Sequence, residues 1–278
     1  MKIGVLHPGT MGVSVARSIL DSGHDVFWAS RGRSQATRDR ATQHGLTDVG
    51  SLKDLCLSCE VVLSICPPEA ASDLAGEVKA TGFTGTFVDC NAISPQRIGA
   101  IADDLGAAGI MVVDAGIIGP PAWKPDKTWL YVSGPAAHSL ANLTQEGHLR
   151  TEVLGAEIGT ASALKMCYAA WTKGTTALVC AILASADELG VRDQLYRHWD
   201  RDQPGLSEQR EMTMRGVTAK AWRFVGEMEE ISATFTNAGQ PGGFHQAAAD
   251  LYRRLADLKD GPHPSPADAV LSALKARD

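Results

Sequence analysis

The sequence has no run of lysines or arginines and no excess of positive charge. Its 278 residues contain 26 Lys and Arg against 32 Asp and Glu, so the formal net charge is −6. Proteins that bind nucleic acid or anionic membranes usually present a basic face. We therefore expect neither nucleic acid nor a membrane as a partner, and any site for an anion must be local.

Long apolar runs and a disulfide framework are also missing. No stretch reaches the ~18 uninterrupted apolar residues of a membrane span, and the N-terminal residues resemble a strand more than a signal peptide. The six cysteines are scattered through a long chain, and the Cys56-x-x-Cys59 pair has no second pair at zinc spacing. We expect two packed thiols, no metal site and a cytoplasmic protein.

Apolar periodicity is what the sequence does contain. From residue 2 to about 153, short apolar runs alternate with helix-length segments, which predicts parallel strands joined by crossover helices and covered on both faces. The expected strands are Lys2–Leu6, Asp25–Ala29, Thr47–Val49, Val61–Ile65, Thr86–Asp89, Met111–Ala115, Trp129–Ser133 and Thr151–Leu154.

The pattern becomes helical after Gly159. Apolar spacing predicts one long helix over about Ala161–Leu189, a second over about Ser207–Gly239, a third over about Phe244–Leu258 and a short final helix. The predicted fold class is therefore α/β, with an N-terminal Rossmann doubly wound sheet over residues 1–156 and an all-α domain over residues 157–278.

An incomplete dinucleotide fingerprint follows the first expected strand. Its second glycine lets the backbone approach a pyrophosphate and its third lets helix pack on strand, and Gly9 and Gly12 keep both. His7 replaces the first glycine, which only shapes the turn, and it is either a turn residue, the reading we favour, or a cofactor contact. The predicted cofactor loop comprises His7, Pro8, Gly9, Thr10, Met11 and Gly12.

The end of the second expected strand indicates which nucleotide binds. An NAD site places an acidic residue there for the ribose 2′-hydroxyl, whereas a 2′-phosphate favours arginine. This chain has Ser30, Arg31, Arg33 and Ser34 and no acidic residue in that stretch. Guanidinium groups bind phosphate bidentately, so we predict NADP, with NADPH preferred over NADH. The alternative is that the arginines only solvate a loop.

An ordered set of motifs resembles the β-hydroxyacid dehydrogenase superfamily, which includes 3-hydroxyisobutyrate and 6-phosphogluconate dehydrogenases. After the loop ending in Met11-Gly12 come the turn Cys66-Pro67-Pro68 and the segments DCNAISP (89–95), DAGIIGPP (114–121) and GTASALK (159–165). The resemblance covers essentially the whole chain. It is greatest to a bacterial branch whose phosphogluconate-dehydrogenase-like C-terminal domain has no known function.

This resemblance implies an NADP-dependent hydride transfer at an alcohol carbon β to a carboxylate, in which Lys165 moves the hydroxyl proton. A carbonyl that receives hydride develops negative charge on oxygen, and an ammonium both stabilises that charge and donates the proton. A lysine near the start of an apolar helix is desolvated, so we expect its pKa to fall toward neutrality. The alternative is that Lys165 reaches the surface with its stem on the core.

The resemblance also implies a set of binding positions. Ser94 is in addition a good helix N-cap before Pro95, and His245 is as consistent with a structural histidine as with a ligand contact. The implied cofactor contacts are Cys66, Pro67, Pro68 and Asn91, and the implied substrate contacts are Asn91, Ser94, Ile118, Gly119 and Pro120. Two further candidate substrate contacts come from the residues themselves: Tyr168, which could substitute for a missing asparagine at position 169, and His245, at a helix start after a flexible turn.

Some positions depart from the superfamily. Ala169 replaces an asparagine, and Thr172 stands where decarboxylating enzymes have an acidic residue, which argues against oxidative decarboxylation. Lys173 lies on roughly the same helix face as Lys165 and would meet a substrate anion or solvent. Alternatives to the dehydrogenase are an imine reductase, which usually lacks this lysine, and a non-catalytic NADPH-binding regulator. Relatives imply a homodimer and a small-molecule substrate, expected to be a carboxylate.

Overall fold

The computed structural model describes residues 1–275. The chain divides into two compact units, Met1–Met166 and Cys167–Asp278, and the division falls inside a helix. The first unit is a sheet covered by helices and the second consists of helices, as the fold-class prediction states.

The first unit is built on one eight-stranded sheet with the order β3-β2-β1-β4-β5-β6-β7-β8. All eight predicted strands are present, with ends shifted by a few residues. They are β1 (Lys2–Val5), β2 (Asp25–Trp28), β3 (Thr47–Asp48), β4 (Val61–Ser64), β5 (Thr86–Asp89), β6 (Met111–Ile118), β7 (Thr128–Ser133) and β8 (Leu149–Gly155).

One strand direction differs from the prediction of parallel strands. β1 to β6 pair in parallel, but β7 runs antiparallel to β6, with Asp114 opposite Ser133. The physical reason is the connection, because residues 119–127 form a loop too short for a crossover helix. The chain therefore turns back along β6, and β8 then pairs in parallel with β7.

Helices cover both faces of this sheet, so it is doubly wound. Each face has its own buried apolar cluster, one including Val15 and Ile19, the other Leu74 and Ile98. The covering helices are α1 (Thr10–Asp21), α2 (Gln35–Gln43), α3 (Leu52–Ser58), α4 (Ala71–Ala80) and α5 (Pro95–Gly106). The last helix to start in this unit, α6 (Thr160–Ala169), begins after β8.

The second unit contains more helices than the sequence predicts. The run Ser207–Gly239 is two helices, and the sequence analysis missed a mostly polar helix over Arg192–Asp202, in which no residue is buried and Leu195, Tyr196 and Trp199 are the only apolar side chains. After a π-helical turn (Ala170–Gly174) come α7 (Thr175–Glu188), α8 (Arg192–Asp202), α9 (Leu206–Gly216), α10 (Thr218–Asn237), α11 (Gly243–Arg254) and α12 (Ala267–Lys275).

The helical stretch Thr160–Glu188 is, by length and composition, apolar enough to cross a membrane. Only a third of its most apolar window is buried inside the protein, whereas the core helix of a soluble protein is mostly buried. It also carries two lysines, Lys165 and Lys173, both engaged by other groups. One such helix does not establish a membrane span, and the absence of a membrane partner stays a prediction.

Candidate nucleotide and proton-transfer site

The loop between β1 and α1 has the geometry of a dinucleotide fingerprint. A Cβ on Gly12 would overlap the carbonyl oxygen of His7, so helix and strand pack closely only because residue 12 is glycine. A Cβ on Gly9 would meet nothing within 4 Å, so the fold itself does not require glycine there. Gly9 is the N-cap of α1 and offers no side-chain cap to its first N–H groups. Both features suit the approach of a phosphate.

His7 lies beside Arg33 at this loop. Burial, and secondarily the Arg33 cation, lower the pKa of His7 to about 4, so its imidazole is neutral at pH 7. His7 Nδ1 and Arg33 Nε are both buried and have no hydrogen-bond partner within residues 1–275. The loop region around His7 and Arg33 therefore contains two buried nitrogen atoms to which no described residue hydrogen-bonds.

Ser30 is hydrogen-bonded within the protein to Asp48, an acidic residue that the sequence analysis overlooked. Asp48, at the end of β3, accepts hydrogen bonds from the N–H groups of Ser30 (3.2 Å) and Gly50 (2.8 Å) and from the Ser30 hydroxyl. Partial burial alone would raise the pKa of Asp48, but these bonds outweigh it and hold the pKa below its ordinary value. The Ser30 hydroxyl thus helps to order the loop, and its contact with a phosphate stays a prediction.

Local bonds shape the rest of the predicted phosphate segment. Ser34 caps α2 by accepting from Thr37 N at 3.3 Å, and the Arg31 side chain is exposed. Arg38, which the sequence analysis did not single out, donates to the carbonyl oxygens of Ser30 (2.7 Å) and Arg33 (3.4 Å). Arg38 therefore stabilises the loop that presents Arg31 and Arg33.

Asn91 is a buried hydrogen-bond centre between the ends of β4 and β5. Its side-chain NH₂ donates to Ser64 Oγ and to Asp89 Oδ2, both at 2.9 Å, and its side-chain oxygen accepts from Cys66 N at 2.6 Å. Burial raises the pKa of Asp89 to about 7, and the nearby Asp114 charge adds to the rise. The two hydrogen bonds from Asn91 lower this pKa but do not outweigh the burial. Asn91 thus fixes the Cys66-Pro67 turn, and its contact with a cofactor or substrate stays a prediction.

Ser94 has the capping role that the sequence predicts. It is the N-cap of α5, accepts from Arg97 N at 3.4 Å and precedes Pro95 at the first helical position. Arg97 in turn donates to the carbonyl oxygen of Pro68 at 2.9 Å, which ties α5 to the turn after β4. The loops after β4 and β5 are therefore one bonded unit at the carboxyl edge of the sheet.

Lys165 is half-buried, and its ammonium is held inside the first unit. Its Nζ donates to the carbonyl oxygen of Ile117 at 2.6 Å, just before the predicted carboxylate-binding segment. A Cβ on Gly116 would lie 2.9 Å from Ala161 O and 3.1 Å from Lys165 Cβ, so α6 reaches β6 because residue 116 is glycine. The ammonium is bonded to a backbone carbonyl of the same unit, which favours an internal role over the snorkelling alternative.

The start of α6 is anchored by Asp114, whose role the sequence analysis missed. The Asp114 carboxylate accepts four hydrogen bonds, from Ser162 Oγ at 2.6 Å and from Ser162 N, Gly159 N and Ser133 Oγ at 3.0 Å. Ser133 Oγ in turn accepts from Ala161 N at 3.0 Å. A fully buried carboxylate on β6 therefore supplies the N-terminal capping of the helix that carries Lys165.

The segment after Ile117 is shaped by one glycine and one threonine. Ile118 is buried, while Gly119 and Pro120 are exposed. Gly119 has φ +127° and a Cβ there would overlap the carbonyl oxygen of Lys127. Thr128 Oγ1 donates to the Pro120 carbonyl at 2.6 Å, so this exposed backbone is held in place.

The remaining predicted residues lie in the second unit. Tyr168 is exposed, Ala169 is buried, and His245 is buried with an unpartnered Nδ1 among the described residues. Lys173 is mostly buried, and its Nζ pairs with Glu227 at 2.5 Å, a partner that the sequence analysis did not consider. Glu227 lies on α10, 54 residues further along the chain, so helix spacing around Lys173 does not reveal this partner.

The residues present fit a bound dinucleotide. Gly9 leaves space, the first turn of α1 contains no acidic residue, and Arg33 presents a buried, unpartnered Nε within the described chain. This loop follows β1, which lies between β2 and β4 in the sheet. The strand order reverses at this point, and open α/β sheets bind ligands at such reversals. No group of three or more potential metal ligands occurs among residues 1–275.

Comparison with solved structures places the fold in a known group. A conserved protein of unknown function, described as structurally similar to 3-hydroxyacid dehydrogenases, is 26% identical with a TM-score of 0.68, covering 98% of this chain and 99% of that one. The Mycobacterium tuberculosis 3-hydroxyisobutyrate dehydrogenase is 17% identical (TM-score 0.69, 99% of each chain). The Streptomyces aurantiacus imine reductase is 16% identical (TM-score 0.56, 99% and 100%).

Two sequence families match the chain. Residues 186–255 match a domain of unknown function, DUF1932, as the resemblance to a branch with an uncharacterised C-terminal domain implies. Residues 2–141, half of the chain, match the NAD-binding domain of 6-phosphogluconate dehydrogenase. The chain therefore belongs to this family, within the β-hydroxyacid dehydrogenase superfamily of NAD(P)-dependent oxidoreductases.

Proposed function

We propose that this protein is an NADP-dependent oxidoreductase that interconverts a β-hydroxy acid and its aldehyde or keto acid, with Lys165 as proton donor and acceptor. The observation that carries the proposal is the 2.6 Å hydrogen bond from Lys165 Nζ to the Ile117 carbonyl. It holds an ammonium at Ile117, three residues beyond the last β5–β6 pair and two residues before the exposed backbone of Gly119 and Pro120.

The chain's own residues would hold the cofactor as follows. The first N–H groups of α1, reached over Gly9, bind the pyrophosphate, and Arg31 and Arg33 bind the 2′-phosphate. The Cys66-Pro67 turn, which Asn91 fixes, would contribute further contacts to the cofactor. When bound, the dinucleotide supplies or accepts the hydride.

Lys165 performs the proton chemistry. In reduction its ammonium stabilises the negative charge that develops on the carbonyl oxygen and then gives that oxygen a proton. In oxidation the neutral amine takes the hydroxyl proton. The Ile118–Pro120 backbone and Ser94 hold the substrate carboxylate, and Thr172, which carries no ionisable group, gives no support to decarboxylation.

A substrate screen with matched variants tests this proposal. Wild type is assayed with hydroxy acids plus NADP and with aldehyde acids plus NADPH, following absorbance of the reduced nicotinamide. Lys165→Met keeps the apolar stem without the ammonium, and Lys124→Met on the exposed 119–127 loop is the control. We expect unchanged NADPH binding in both variants and a loss of turnover of about a hundredfold or more in Lys165→Met only.

The same assay separates two alternatives. Similarity to imine reductases favours including cyclic imines, and turnover of imines alone would replace the dehydrogenase with an imine reductase. NADPH binding with no Lys165-dependent turnover of any substrate would indicate a non-catalytic regulator. We further propose that the protein is cytoplasmic and forms a homodimer. Sedimentation at several protein concentrations tests the dimer.

A further inference from the structure

The second unit contains an apolar cavity of about 520 Å³ whose lining includes His245, a candidate substrate contact from the sequence, but none of the residues assigned above to the hydride transfer. The π turn and α7 form one side, α11 forms another, and Phe235 of α10 closes it. Residues that line it include Gly174, Ala177, Leu178, Phe235, Phe244 and Leu251. None of the described lining residues is a Lys, Arg, Asp or Glu. Its volume lies within the range of small-molecule sites.

His245 is the polar group buried in this wall. Its side chain is 8% exposed, and its Nδ1 has no hydrogen-bond partner in the described part of the chain. The imidazole packs edge-on against Phe235, with ring centroids 4.4 Å apart. On its other side it packs against the π turn, where a Cβ on Gly174 would lie 3.7 Å from the ring.

The position of His245 is fixed by the start of α11. Ser232 Oγ donates to the Gly242 carbonyl at 3.0 Å, and a Cβ on Gly242 would overlap Ser232. The π turn is fixed from the opposite side, since the buried Tyr252 hydroxyl donates to the Lys173 carbonyl at 2.7 Å. The imidazole is packed between Phe235 and the π turn, and in this position Nδ1 reaches no polar group of the described chain. A buried polar atom left unpaired is costly, so a partner from outside the chain is expected.

The chemistry of the wall selects the ligand. Burial lowers the pKa of His245, so the ring is neutral at pH 7. A charged group would lose its hydration in this cavity without a counter-charge, whereas a hydroxyl both donates and accepts and suits either imidazole tautomer. We propose that the cavity binds an uncharged, mainly apolar alcohol or phenol whose hydroxyl group hydrogen-bonds to His245 Nδ1.

Three compounds of similar shape test this: p-cresol with a hydroxyl, toluene without one, and p-toluate with a charge. Binding is measured by saturation-transfer NMR and by the fluorescence of Trp171, a lining residue that is 70% exposed. We expect p-cresol to bind wild type about five- to tenfold more tightly than toluene, and p-toluate to bind most weakly. His245→Phe, which keeps an aromatic ring, should remove the preference for p-cresol.

Two alanines provide a matched control. Ala247 lies on the exposed side of α11 and lines the cavity, and Ala269 is exposed on α12 outside it. Ala247→Phe should abolish binding of all three compounds, and Ala269→Phe should leave it unchanged. Equal affinity of wild type for p-cresol and toluene, or a preference that survives His245→Phe, would overturn the proposal.

The remaining outcomes separate this site from the proposed reaction. Lys165→Met should bind p-cresol as wild type does, so inactivity of the enzyme does not bear on the cavity. If wild type binds no p-cresol and Ala247→Phe breaks a dimer in sedimentation, then a second copy of the chain covers the cavity. That result also overturns the proposal.

Discussion

Asp114 and Ser162, 48 residues apart in sequence, are joined by a 2.6 Å hydrogen bond from the Ser162 hydroxyl to Asp114 Oδ1. The same carboxylate accepts the N–H groups of Ser162 and Gly159. Because Lys165 lies one turn further along α6, this cap determines where its ammonium sits on β6. Asp114 therefore acts on Lys165 by capping the helix that carries it.

Asp114→Asn should damage both stability and activity. An amide NH₂ would face donors where a carboxylate oxygen now accepts, so we expect a loss of about 2–4 kcal/mol in the free energy of unfolding. Turnover should fall through misplacement of Lys165. Denaturant unfolding and the hydride-transfer assay measure the two effects. Ser133→Ala, which removes one donor to Asp114 and the acceptor of Ala161 N but keeps the carboxylate, is the comparison and should cost less, about 1–2 kcal/mol.

The two loop glycines should separate folding from cofactor binding. Gly12→Ala forces a Cβ onto the His7 carbonyl, so we expect a loss of at least about 2 kcal/mol in unfolding free energy. Gly9→Ala places its Cβ in open space and should change stability by less than about 0.5 kcal/mol. Its NADPH affinity should nevertheless fall about tenfold or more, because the methyl group blocks the phosphate.

Fluorescence titration with NADPH and chemical denaturation distinguish the two glycines. If Gly9→Ala bound NADPH as wild type does, the pyrophosphate would not lie over residue 9. If Gly12→Ala were as stable as wild type, the close packing of α1 on β1 would not depend on glycine.

The nucleotide preference should depend on two arginines. Arg31→Ala and Arg33→Ala should each weaken NADPH binding about ten- to a hundredfold and leave NADH binding little changed, because only NADPH carries the 2′-phosphate. Arg17→Ala on α1, whose guanidinium pairs with Asp21, is the control and should change neither. Equal losses for both nucleotides would mean that the arginines do not read the 2′-phosphate.

Features that depend on local spacing could be predicted from the sequence. The eight strands, Gly9 and Gly12 of the loop, and the Ser94-Pro95 helix start all rest on residues a few positions apart. Gly23 also follows the pattern, with φ +79° just after α1 and its N–H bonded to Leu20 O. Such signals come from hydrophobic alternation and capping preferences, which short segments carry by themselves.

Features that depend on distant partners could not be predicted. Asp114 caps α6 through residues 19 to 48 positions away, and Asp48 reaches Ser30 across 18. The π turn coincides with a hydrogen bond from Tyr252, 79 residues beyond Lys173. Because no local pattern encodes these contacts, the sequence analysis missed Glu227 as the partner of Lys173 and overlooked Asp48.

The titration of His7 should report the burial of the loop. With its pKa lowered from 6.5 to about 4, folded His7 is neutral between these values while the unfolded chain binds a proton. Its contribution to stability is therefore complete above about pH 6.5 and is lost as the pH falls toward 4, by at most about 3 kcal/mol. His7→Asn should abolish this part of the pH dependence, and His138→Asn, at an exposed position, should not. NMR titration of the imidazole measures the pKa directly, and Arg33→Ala should raise it by removing the neighbouring cation. A His7 pKa near 6.5 in wild type would show that the ring is solvated, and the loop would then be more open than the structure has it.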